Sequence, residues 1–281
     1  MVEPPTSGRR TPGESLEAAI RSRWDGRPTV SASQGGLILA ARMTRRLAEE
    51  FAVVKASRVV ADVVSKRPAI DDALTFVYGF DVPGFDVAIR PIQLPNEIEL
   101  LLRRVRSLEP RTVVEIGTAN GGTLFLLATV AHDDALLVSV DLPLGRFGGG
   151  YAKRRRRLYR AFGRRGQRVE LLRADSHEAG TRDEVRRILG ARAVDLLLID
   201  GDHSYDGVRL DFRDYAPLVR EGGLVVFHDI VPGDENDVGE VPRFWRELKA
   251  GTGGEEIVED WHQGGFGLGV VTSPFARDGS P

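Results

Sequence analysis

Five short apolar runs alternate with helical stretches between residues 110 and 230, and this alternation restricts the fold more than any other feature. The runs read VVEI, LLVSV, VELL, DLLLI and LVVF, at 113–116, 136–140, 169–172, 195–199 and 224–227. Continuous apolar strands that alternate with helices are typical of a parallel sheet covered on both faces. Two later segments, EEIVED and FGLGVVT, flank a Gly-rich turn and predict a closing antiparallel hairpin. The sequence therefore predicts an α/β fold with a mostly parallel seven-stranded sheet.

The first 92 residues lack this pattern. Residues 1–30 are rich in Pro, Gly, Ser and Arg without periodicity, which predicts a disordered tail. Residues 31–92 predict a helical appendage followed by a lid segment, although the β-branched second half of the stretch 36–66 leaves helix or strand open. We expect the main domain to occupy residues 93–281, with Pro95 beginning a helix. The appendage either pairs two subunits into a homo-oligomer or packs on the main domain.

Composition excludes several classes of protein. The 39 basic and 41 acidic side chains give a net charge of -2, which provides no general attraction for nucleic acid or membranes. The absence of cysteine excludes disulfides, thiolate zinc sites and cysteine nucleophiles. The start lacks the apolar core of a secretion signal, and no run approaches the roughly 20 apolar residues of a membrane span, so we expect a cytoplasmic protein. The Arg-rich stretch 151–168 favours a solvated helix face over a site for an anionic ligand or RNA.

Ligands of such sheets bind beyond the carboxyl ends of the strands. The first strand leads into EIGTANGG, where glycines permit a tight turn and a helix N-terminus offers N–H groups to an anion. Ala119 stands where a dinucleotide-binding loop needs glycine, which argues against a nicotinamide or flavin. Asp141 follows the second strand, at the place of an acidic residue that accepts from a ribose. Asp175 and Ser176 follow the third strand and could meet an adenine edge. The pattern indicates a ribose and a purine without a diphosphate.

Five motifs follow the five predicted strands in order: EIGTANGGT, the acidic Asp141, RADSH, IDGDHSYDGV and VVFHD. Together they resemble the class I S-adenosylmethionine-dependent methyltransferases. More narrowly, they resemble the branch that contains metal-dependent macrolide sugar O-methyltransferases of the mycinamicin and macrocin type and cephalosporin hydroxylase-like proteins. The resemblance covers about residues 93–272. It implies a Rossmann-like fold, S-adenosyl-L-methionine as cofactor, and methyl transfer to a hydroxyl of a small molecule such as a sugar or another natural product.

The resemblance implies a set of cofactor-binding residues. These are Glu115, Gly117, Thr118, Gly121, Gly122, Thr123, Asp141, Asp175 and Ser176. The helix N-terminus at Gly122 and Thr123 would hold the carboxylate of the cofactor, and Asp141 would bind its ribose. Glu115 would lie near the cationic sulfonium; the other interpretation is a buried strand-end carboxylate bonded to backbone amides.

Asp200 and Asp229 end neighbouring strands, and their carboxylates would repel each other unless a proton or a cation lies between them. Mg²⁺ or another divalent cation takes oxygen ligands and could bind a vicinal diol. Many metal-dependent members of the superfamily have a third ligand where this chain has Ile230, so Asp202 is the candidate for that role. The resemblance implies that His203 is the general base; a capping role is the other interpretation.

Three alternatives accompany this prediction. Ser204 and Asp206 are predicted to cap the next helix rather than to serve the site. His228 adds a second histidine to the acidic pair, a set that also suits iron and a metal-dependent hydroxylase. A non-catalytic cofactor-binding scaffold is the third alternative. We expect the acceptor, a hydroxylated small molecule, to contact residues 70–95 and 231–243.

Overall fold

The computed structural model describes residues 32–85, 87–145, 147 and 150–274, with side chains from residue 43 onward. The predicted tail, residues 1–30, lies outside the described residues. The chain divides into two units, 1–48 and 49–281. The described residues of the first unit, 32–48, are all helical. The site and the sheet belong to the second unit.

A seven-stranded sheet forms the centre of the second unit, in the order β3-β2-β1-β4-β5-β7-β6. The strands are β1 Thr112–Ile116, β2 Leu136–Val140, β3 Arg168–Leu172, β4 Val194–Ile199, β5 Val219–His228, β6 Glu255–Ile257 and β7 Leu268–Thr272. Strands β1 to β5 pair in parallel, whereas β7 is antiparallel to both β5 and β6. The predicted fold class is confirmed, including the antiparallel C-terminal pair.

Strand β5 begins five residues before the apolar run that predicts it. Val194 pairs with Val219, and the register then shifts so that Leu196 pairs with Leu224. The segment between these two pairs, residues 220–223, contains two charged residues and two glycines. Backbone hydrogen bonds hold a segment in a sheet whatever its side chains are, so an apolar pattern alone does not show where the strand starts.

The described part of the chain contains eight α-helices. They are α1 Ala32–Ser65, α2 Ile70–Gly79, α3 Pro95–Leu108, α4 Gly122–Val130, α5 Arg156–Arg160, α6 Ala179–Leu189, α7 Tyr205–Tyr215 and α8 Val241–Thr252. Pro95 stands in the first turn of α3, as predicted. No helix among these residues combines the length and the apolar character that crossing a bilayer would require.

The stretch 36–66, for which the sequence left helix or strand open, is helical as far as Ser65. Ala52, Val53, Ala56, Val60 and Val64 are buried. Phe51 and Val59, whose spacing also fits a helix, are 72% and 40% exposed. Spacing identifies an apolar stripe, whereas the partner surface decides which side of a helix is covered.

Two apolar cores lie on opposite faces of the sheet. Val113 of β1 belongs to the core that contains α2, α3 and α4, and its neighbour Val114 belongs to the core of α6, α7 and α8. Alternate side chains of one strand thus enter different cores, which explains why the strands read as continuous apolar runs. Every residue of α4 is buried.

Residues 49–92 contribute to the first of these cores. Helix α2 packs on α4, and the ring centroids of Phe76 and Phe125 are 5.5 Å apart. The boundary between the two units follows Ala48, whereas the sequence predicts a boundary at 92/93. Residues 49–92 are therefore part of the same unit as the sheet.

The Arg-rich stretch 151–168 packs closely on the domain. Its apolar residues Tyr151, Leu158 and Phe162 are buried, although helix α5 is only five residues long. The guanidinium of Arg164 donates to the carbonyls of Ala128, Thr129 and Ala131 at the end of α4, at 2.8–3.0 Å. Several of these arginines thus satisfy backbone carbonyls, as expected for a structural rather than a ligand-binding role.

Candidate functional site

A cavity of about 720 Å³ lies at the carboxyl ends of the parallel strands. Eight residues predicted for the site line it: Gly117, Asp141, Asp175, Ser176, Asp200, Asp202, His203 and Asp229. Five predicted cofactor residues are not among its lining residues: Glu115, Thr118, Gly121, Gly122 and Thr123. The predicted acceptor segments contribute Ile92, Asn236, Asp237 and Val238 to the lining.

Gly117 connects the end of β1 to the floor of the cavity. Its φ is +88°, and a Cβ at this position would lie 1.8 Å from the carbonyl oxygen of Asp200. No side chain fits there, because the backbone beyond β4 passes directly beside this residue. Only glycine therefore allows the ends of β1 and β4 to approach each other at this point.

Asp141 presents one unused acceptor to the cavity. It is buried; its Oδ1 accepts from the Gly150 amide at 3.0 Å, and its Oδ2 has no hydrogen-bond partner among the described residues. Burial raises the pKa of this carboxyl to about 6. A buried acceptor without a partner is energetically costly, so Oδ2 is suited to a ligand hydroxyl.

Glu115 lies in β1 and is fully buried. Neither carboxyl oxygen has a hydrogen-bond partner in the described structure, so the backbone-amide alternative is not seen. Burial, with the nearby charges of Asp200 and Asp141, raises its pKa well above the usual range. This environment favours the protonated, neutral acid.

The N-terminus of α4, predicted to bind an anion, is covered by residues 89–91. A Cβ on Gly122 would lie 2.2 Å from the Pro91 nitrogen and 2.3 Å from the Ile89 carbonyl oxygen. Gly121 has φ +80°, and its Cβ would lie 2.8 Å from the Tyr159 ring. The glycines of this turn thus admit neighbouring protein segments.

The hydroxyls of this turn also bind protein groups. Thr118 contacts the hydroxyl of Ser139, and the Thr123 hydroxyl donates to the side-chain amide oxygen of Gln93 at 2.6 Å. Gln93 falls within the predicted acceptor segment 70–95 but is not one of the individually predicted site residues. It lies between two prolines in PIQLP, and nothing in that local pattern indicates its partner.

Asp200, His203 and Asp229 form the group best suited to a metal ion. One ligand atom from each side chain lies within 4.8 Å of the others. His203 Nε2 lies 3.4 Å from Asp200 Oδ1, and His203 Nδ1 lies 3.6 Å from Asp229 Oδ2. Asp202 is not in this group: its Oδ1 accepts from the Ser204 amide at 2.9 Å.

His228 lies between the two aspartates. Its Nδ1 is 3.1 Å from Asp200 Oδ1 and 3.2 Å from Asp229 Oδ2. Burial opposes the imidazolium, but the two carboxylates raise the pKa of His228 well above its usual value. Burial likewise opposes ionisation of Asp200, but His228 and His203 lower its pKa overall. A protonated His228 therefore offsets the repulsion that adjacent strand-end carboxylates create.

His203 has one ring nitrogen fixed by the backbone. Its Nδ1 lies 2.5 Å from the carbonyl oxygen of Asp237, which can only accept, so Nδ1 carries a proton. Its Nε2 then holds the lone pair of the neutral ring. The Phe147 ring stacks on the imidazole at a centroid distance of 4.9 Å. A Cβ on Gly239 would lie 2.3 Å from the His203 carbonyl oxygen, so the segment after β5 fits closely around this histidine.

The turn after β4 also contains the predicted helix cap. The Ser204 hydroxyl accepts from the Gly207 amide at 3.1 Å, which confirms Ser204 as the N-cap of α7. Ser204 also lines the cavity, whereas Asp206, in the first turn of α7, is not among the described lining residues.

A buried glutamate supports the far wall of the cavity. Glu97 of α3 accepts from the amides of Gly267 at 2.9 Å and Glu259 at 3.2 Å, and from the side chain of Gln263 at 2.8 Å. It thereby fixes the loop that precedes β7. Phe266 of that loop donates its amide to Asp229 Oδ1 at 3.1 Å. Glu97 thus acts on the site through Phe266 and was missed by the sequence analysis.

A second buried carboxylate supports the opposite end of the cavity. Asp211 of α7 is fully buried, and its Oδ1 lies 3.2 Å from Nε2 of His177, which lines the cavity. The nearby Asp211 carboxylate raises the pKa of His177 to about 9, although burial opposes it. Burial raises the pKa of Asp211 itself, and His177 offsets only part of that effect.

Replacing Asp211 by asparagine should remove a pH-dependent contribution to stability. Because the pKa of His177 in the folded protein exceeds its ordinary 6.5, the stabilisation is complete below about pH 6.5 and is lost as pH rises through about 9. After allowance for solvent screening of a half-buried ring, we expect about 1–2 kcal/mol. Unfolding by urea at pH 6 and pH 10 measures the difference.

Asp134→Asn is the matched control, because it changes the exposed His132–Asp134 pair instead. That variant should show the same pH dependence of unfolding as the unchanged protein. An Asp211→Asn protein that retains the full stability change between pH 6 and pH 10 would contradict the assignment.

Comparison with known proteins finds a domain family that matches the central part of this chain. Residues 114–230 match the methyltransferase domain family. An uncharacterized protein of Sinorhizobium fredii, y4gI, is 33% identical over 151 residues, which are 52% of this chain and 16% of that protein. The uncharacterized protein R132 of Acanthamoeba polyphaga mimivirus is 31% identical over 120 residues, 42% of this chain and 51% of that protein. The matched regions thus span at most about half the length of these two relatives.

Among solved structures, the O-methyltransferase TomG from Streptomyces achromogenes, which is involved in tomaymycin synthesis and was solved with S-adenosylmethionine, is similar. It is 23% identical, with 73% of this chain and 89% of that chain covered, at a TM-score of 0.49. The family match begins within β1 and ends just after β5, so it contains strands β2 to β5 and the end of β1. The strand order β3-β2-β1-β4-β5 is that of a Rossmann-like sheet. Residues 114–230 of this chain therefore match a methyltransferase domain family, and they have the Rossmann-like fold that the motifs predict.

Proposed function

We propose that this protein is an S-adenosylmethionine-dependent O-methyltransferase that methylates a hydroxyl of a small molecule, such as a sugar or another natural product. The observation that carries the proposal is that Asp141, with its unpaired acceptor, and His203, whose Nε2 lies 3.4 Å from Asp200 Oδ1, line one cavity of the domain. The first is suited to a ribose and the second to removing a proton. One cavity thus offers both groups that the reaction needs.

The cavity also suits the charge of the cofactor. Its described lining contains six aspartates and no lysine or arginine. Such a surface attracts a cationic sulfonium and disfavours a pyrophosphate. In this proposal Gly117 permits close approach, Asp141 binds the ribose hydroxyls, and Asp175 and Ser176 meet the adenine. S-Adenosylmethionine supplies an electrophilic methyl group when bound.

The acceptor hydroxyl needs help to become a nucleophile. A phenol has a pKa near 10 and an alcohol a higher one, so the neutral hydroxyl dominates near pH 7. His203 Nε2 takes this proton, while Nδ1 stays bonded to Asp237. The imidazolium so formed lies 3.4 Å from Asp200 Oδ1, which stabilises it.

We also propose that a divalent cation assists. Asp200 and Asp229 provide the oxygen donors that Mg²⁺ prefers, and their spacing with His203 suits a single ion. Such an ion lowers the pKa of a bound hydroxyl and orients a vicinal diol. A histidine that binds the metal through Nε2 cannot also be the base, so the two roles of His203 exclude each other within one step.

Asp200→Asn and Asp229→Asn should each weaken Mn²⁺ binding by at least about 10-fold, because each removes an anionic ligand. Calorimetric titration with Mn²⁺ and Mg²⁺ measures the effect. Asp206→Asn, at an exposed aspartate of α7, is the matched control and should bind as the unchanged protein does. Equal affinities in all four proteins would remove the metal from the proposal.

One observation favours a second candidate. Two histidines and two aspartates, His203, His228, Asp200 and Asp229, come together in one cluster, a donor set that also suits iron. A metal-dependent hydroxylase would consume oxygen with Fe²⁺ and leave S-adenosylmethionine unchanged. A non-catalytic scaffold would bind the cofactor and transfer nothing.

Calorimetry with S-adenosylmethionine and with NADH separates the cofactor classes. We expect binding of the first and none of the second. Incubation with methyl-labelled S-adenosylmethionine and extracts of the source organism, followed by mass analysis, then identifies the acceptor. A protein that does not bind S-adenosylmethionine would end the proposal. Pairing of subunits through the N-terminal helices stays a prediction, which light scattering would test.

A further inference from the structure

Gln93 is a buried glutamine that connects the carboxyl end of β4 to the first turn of α4. It is 2% exposed. Its Nε2 donates to Asp200 Oδ2 at 3.0 Å, and its Oε1 accepts from the Thr123 hydroxyl at 2.6 Å. Both polar ends of the amide are therefore bonded to side chains that lie far away in the sequence. Neither the proposed cofactor contacts nor the proposed base accounts for this arrangement.

The chemistry of the two partners fixes the orientation of the amide. An ionised carboxylate only accepts hydrogen bonds, so the nitrogen of Gln93 must face Asp200. The amide oxygen then faces Thr123, whose hydroxyl must donate. Reversing the amide would bring two acceptors together at Asp200 and leave a buried carboxylate oxygen without a donor.

The segment that carries Gln93 is held independently of these two bonds. The Tyr78 hydroxyl donates to the carbonyl oxygen of Gln93 at 2.5 Å. Arg155 donates to the carbonyl of Ala88 at 3.2 Å, and Gly122 leaves space for residues 89–91. The side chain of Gln93 therefore extends from a backbone that is fixed on both α2 and α4.

We propose that Gln93 is a positioning residue. It holds the Asp200 carboxylate in the rotamer in which Oδ1 faces His203 and His228. With Oδ2 bonded to Gln93, Oδ1 is left to face His228 Nδ1 at 3.1 Å and His203 Nε2 at 3.4 Å. Without that bond the carboxylate rotates about its terminal torsion, which has a broad energy profile. Thr123 acts one step further away, because it fixes the amide of Gln93. The catalytic consequence rests on the proposed function, whereas the positioning does not.

The test compares four single variants and one double variant of the full chain. Gln93→Met removes the donor at similar length, Thr123→Val removes the bond that orients the amide, and Thr123→Ser keeps the hydroxyl. Thr252→Val is the control, because it makes the same change at an exposed helix end. The readouts are the imidazole signals of His203 and His228 in nitrogen-15 spectra, and calorimetric titrations with Mn²⁺ and with S-adenosylmethionine.

We expect Gln93→Met to shift the imidazole signals of both histidines and to weaken Mn²⁺ binding about 10-fold, the usual effect of a lost outer-shell bond. S-Adenosylmethionine affinity should change by less than about 3-fold, because that part of the cavity is untouched. Thr123→Val should cause a smaller shift in the same direction, and Thr123→Ser should reverse it. Adding Thr123→Val to Gln93→Met should cause no further shift.

Unchanged imidazole signals in Gln93→Met would overturn the inference, even if the protein is less stable. If that variant does not fold, the contrast between Thr123→Val and Thr123→Ser decides the question with the same signals. Failure of the unchanged protein to bind Mn²⁺ or S-adenosylmethionine would count against the proposed function instead. The two failures are therefore distinguishable.

Discussion

Replacing His203 by alanine is expected to lower the rate of methyl transfer by about 10²-fold or more, because the acceptor hydroxyl loses its proton acceptor. The pH dependence should change as well. Burial lowers the pKa of His203, but Asp200 and Asp229 more than offset this and raise it above 6.5. A base acts in its neutral form, so the rate of the unchanged protein should rise as pH increases through that raised pKa.

In His203→Ala this rising limb should disappear, which a profile of kcat from pH 6 to pH 10 would measure. The control is His132→Ala, at a histidine paired with Asp134 away from the cavity. His203→Ala should still bind S-adenosylmethionine with unchanged affinity. This result would show that the rate falls because the base is lost, and not because the cavity rearranges when Phe147 loses the imidazole on which it stacks. A near-normal rate would exclude His203 as the base.

Replacing Asp141 by asparagine should have two opposite effects. Cofactor affinity should fall by about 10²-fold, since a charged acceptor of ribose hydroxyls becomes an amide. Stability of the cofactor-free protein should instead rise at pH 7. The pKa of Asp141 in the folded protein is about 6, above its ordinary 3.8, so ionisation disfavours the folded state. As pH rises from about 4 to about 6, ionisation of Asp141 therefore lowers the free energy of unfolding. Asparagine does not ionise, so the substitution should restore about 1–3 kcal/mol of that free energy.

The same shift predicts how binding depends on pH. In the unchanged protein, affinity for S-adenosylmethionine should be level above about pH 6 and fall below it, by up to about 10-fold per pH unit, as Asp141 takes up a proton. Asp141→Asn should abolish this dependence. Calorimetry from pH 5 to pH 8 and thermal unfolding without cofactor measure the two effects. Asp183→Asn, at an exposed aspartate of α6, should change neither. A less stable Asp141→Asn protein with normal affinity would contradict both arguments.

The parallel sheet could be predicted because its signal is local. A strand buried on both faces needs four or five consecutive apolar residues, and each of the five runs lies within the strand that it predicts. The motifs after these strands also identified Gly117, Asp141 and the Asp200, His203 and Asp229 group, all of which line the cavity. Residues at the ends of adjacent parallel strands must be near one another, whatever connects them.

Contacts between distant segments could not be predicted in this way. Gly122 reads as a turn glycine of an anion site, but its lack of a side chain accommodates residues 89–91, more than 30 positions earlier. Gln93 depends on the same contact. The local sequence shows that a glycine leaves space beside the backbone. Only the tertiary fold determines which distant segment fills that space.

Two missed carboxylates did leave a sequence signal. Asp211 belongs to the spacing Val208, Asp211, Phe212 and Tyr215, which is one face of α7. Glu97 precedes Leu101 by four residues and shares the buried face of α3. An acidic residue within an apolar helical stripe is therefore worth treating as a buried group with a specific partner.

The packing of α4 limits how far this chain could be shortened. All nine of its residues are enclosed, and Phe125 meets Phe76 of α2, well before the segment that carries the family match. Trimming the chain to the matched segment would expose to water the apolar side of α4 that packs on α2. Residues 49–92 thus cover an apolar side of the domain. Natural shortening or fusion of such proteins must preserve this segment or supply a substitute for it.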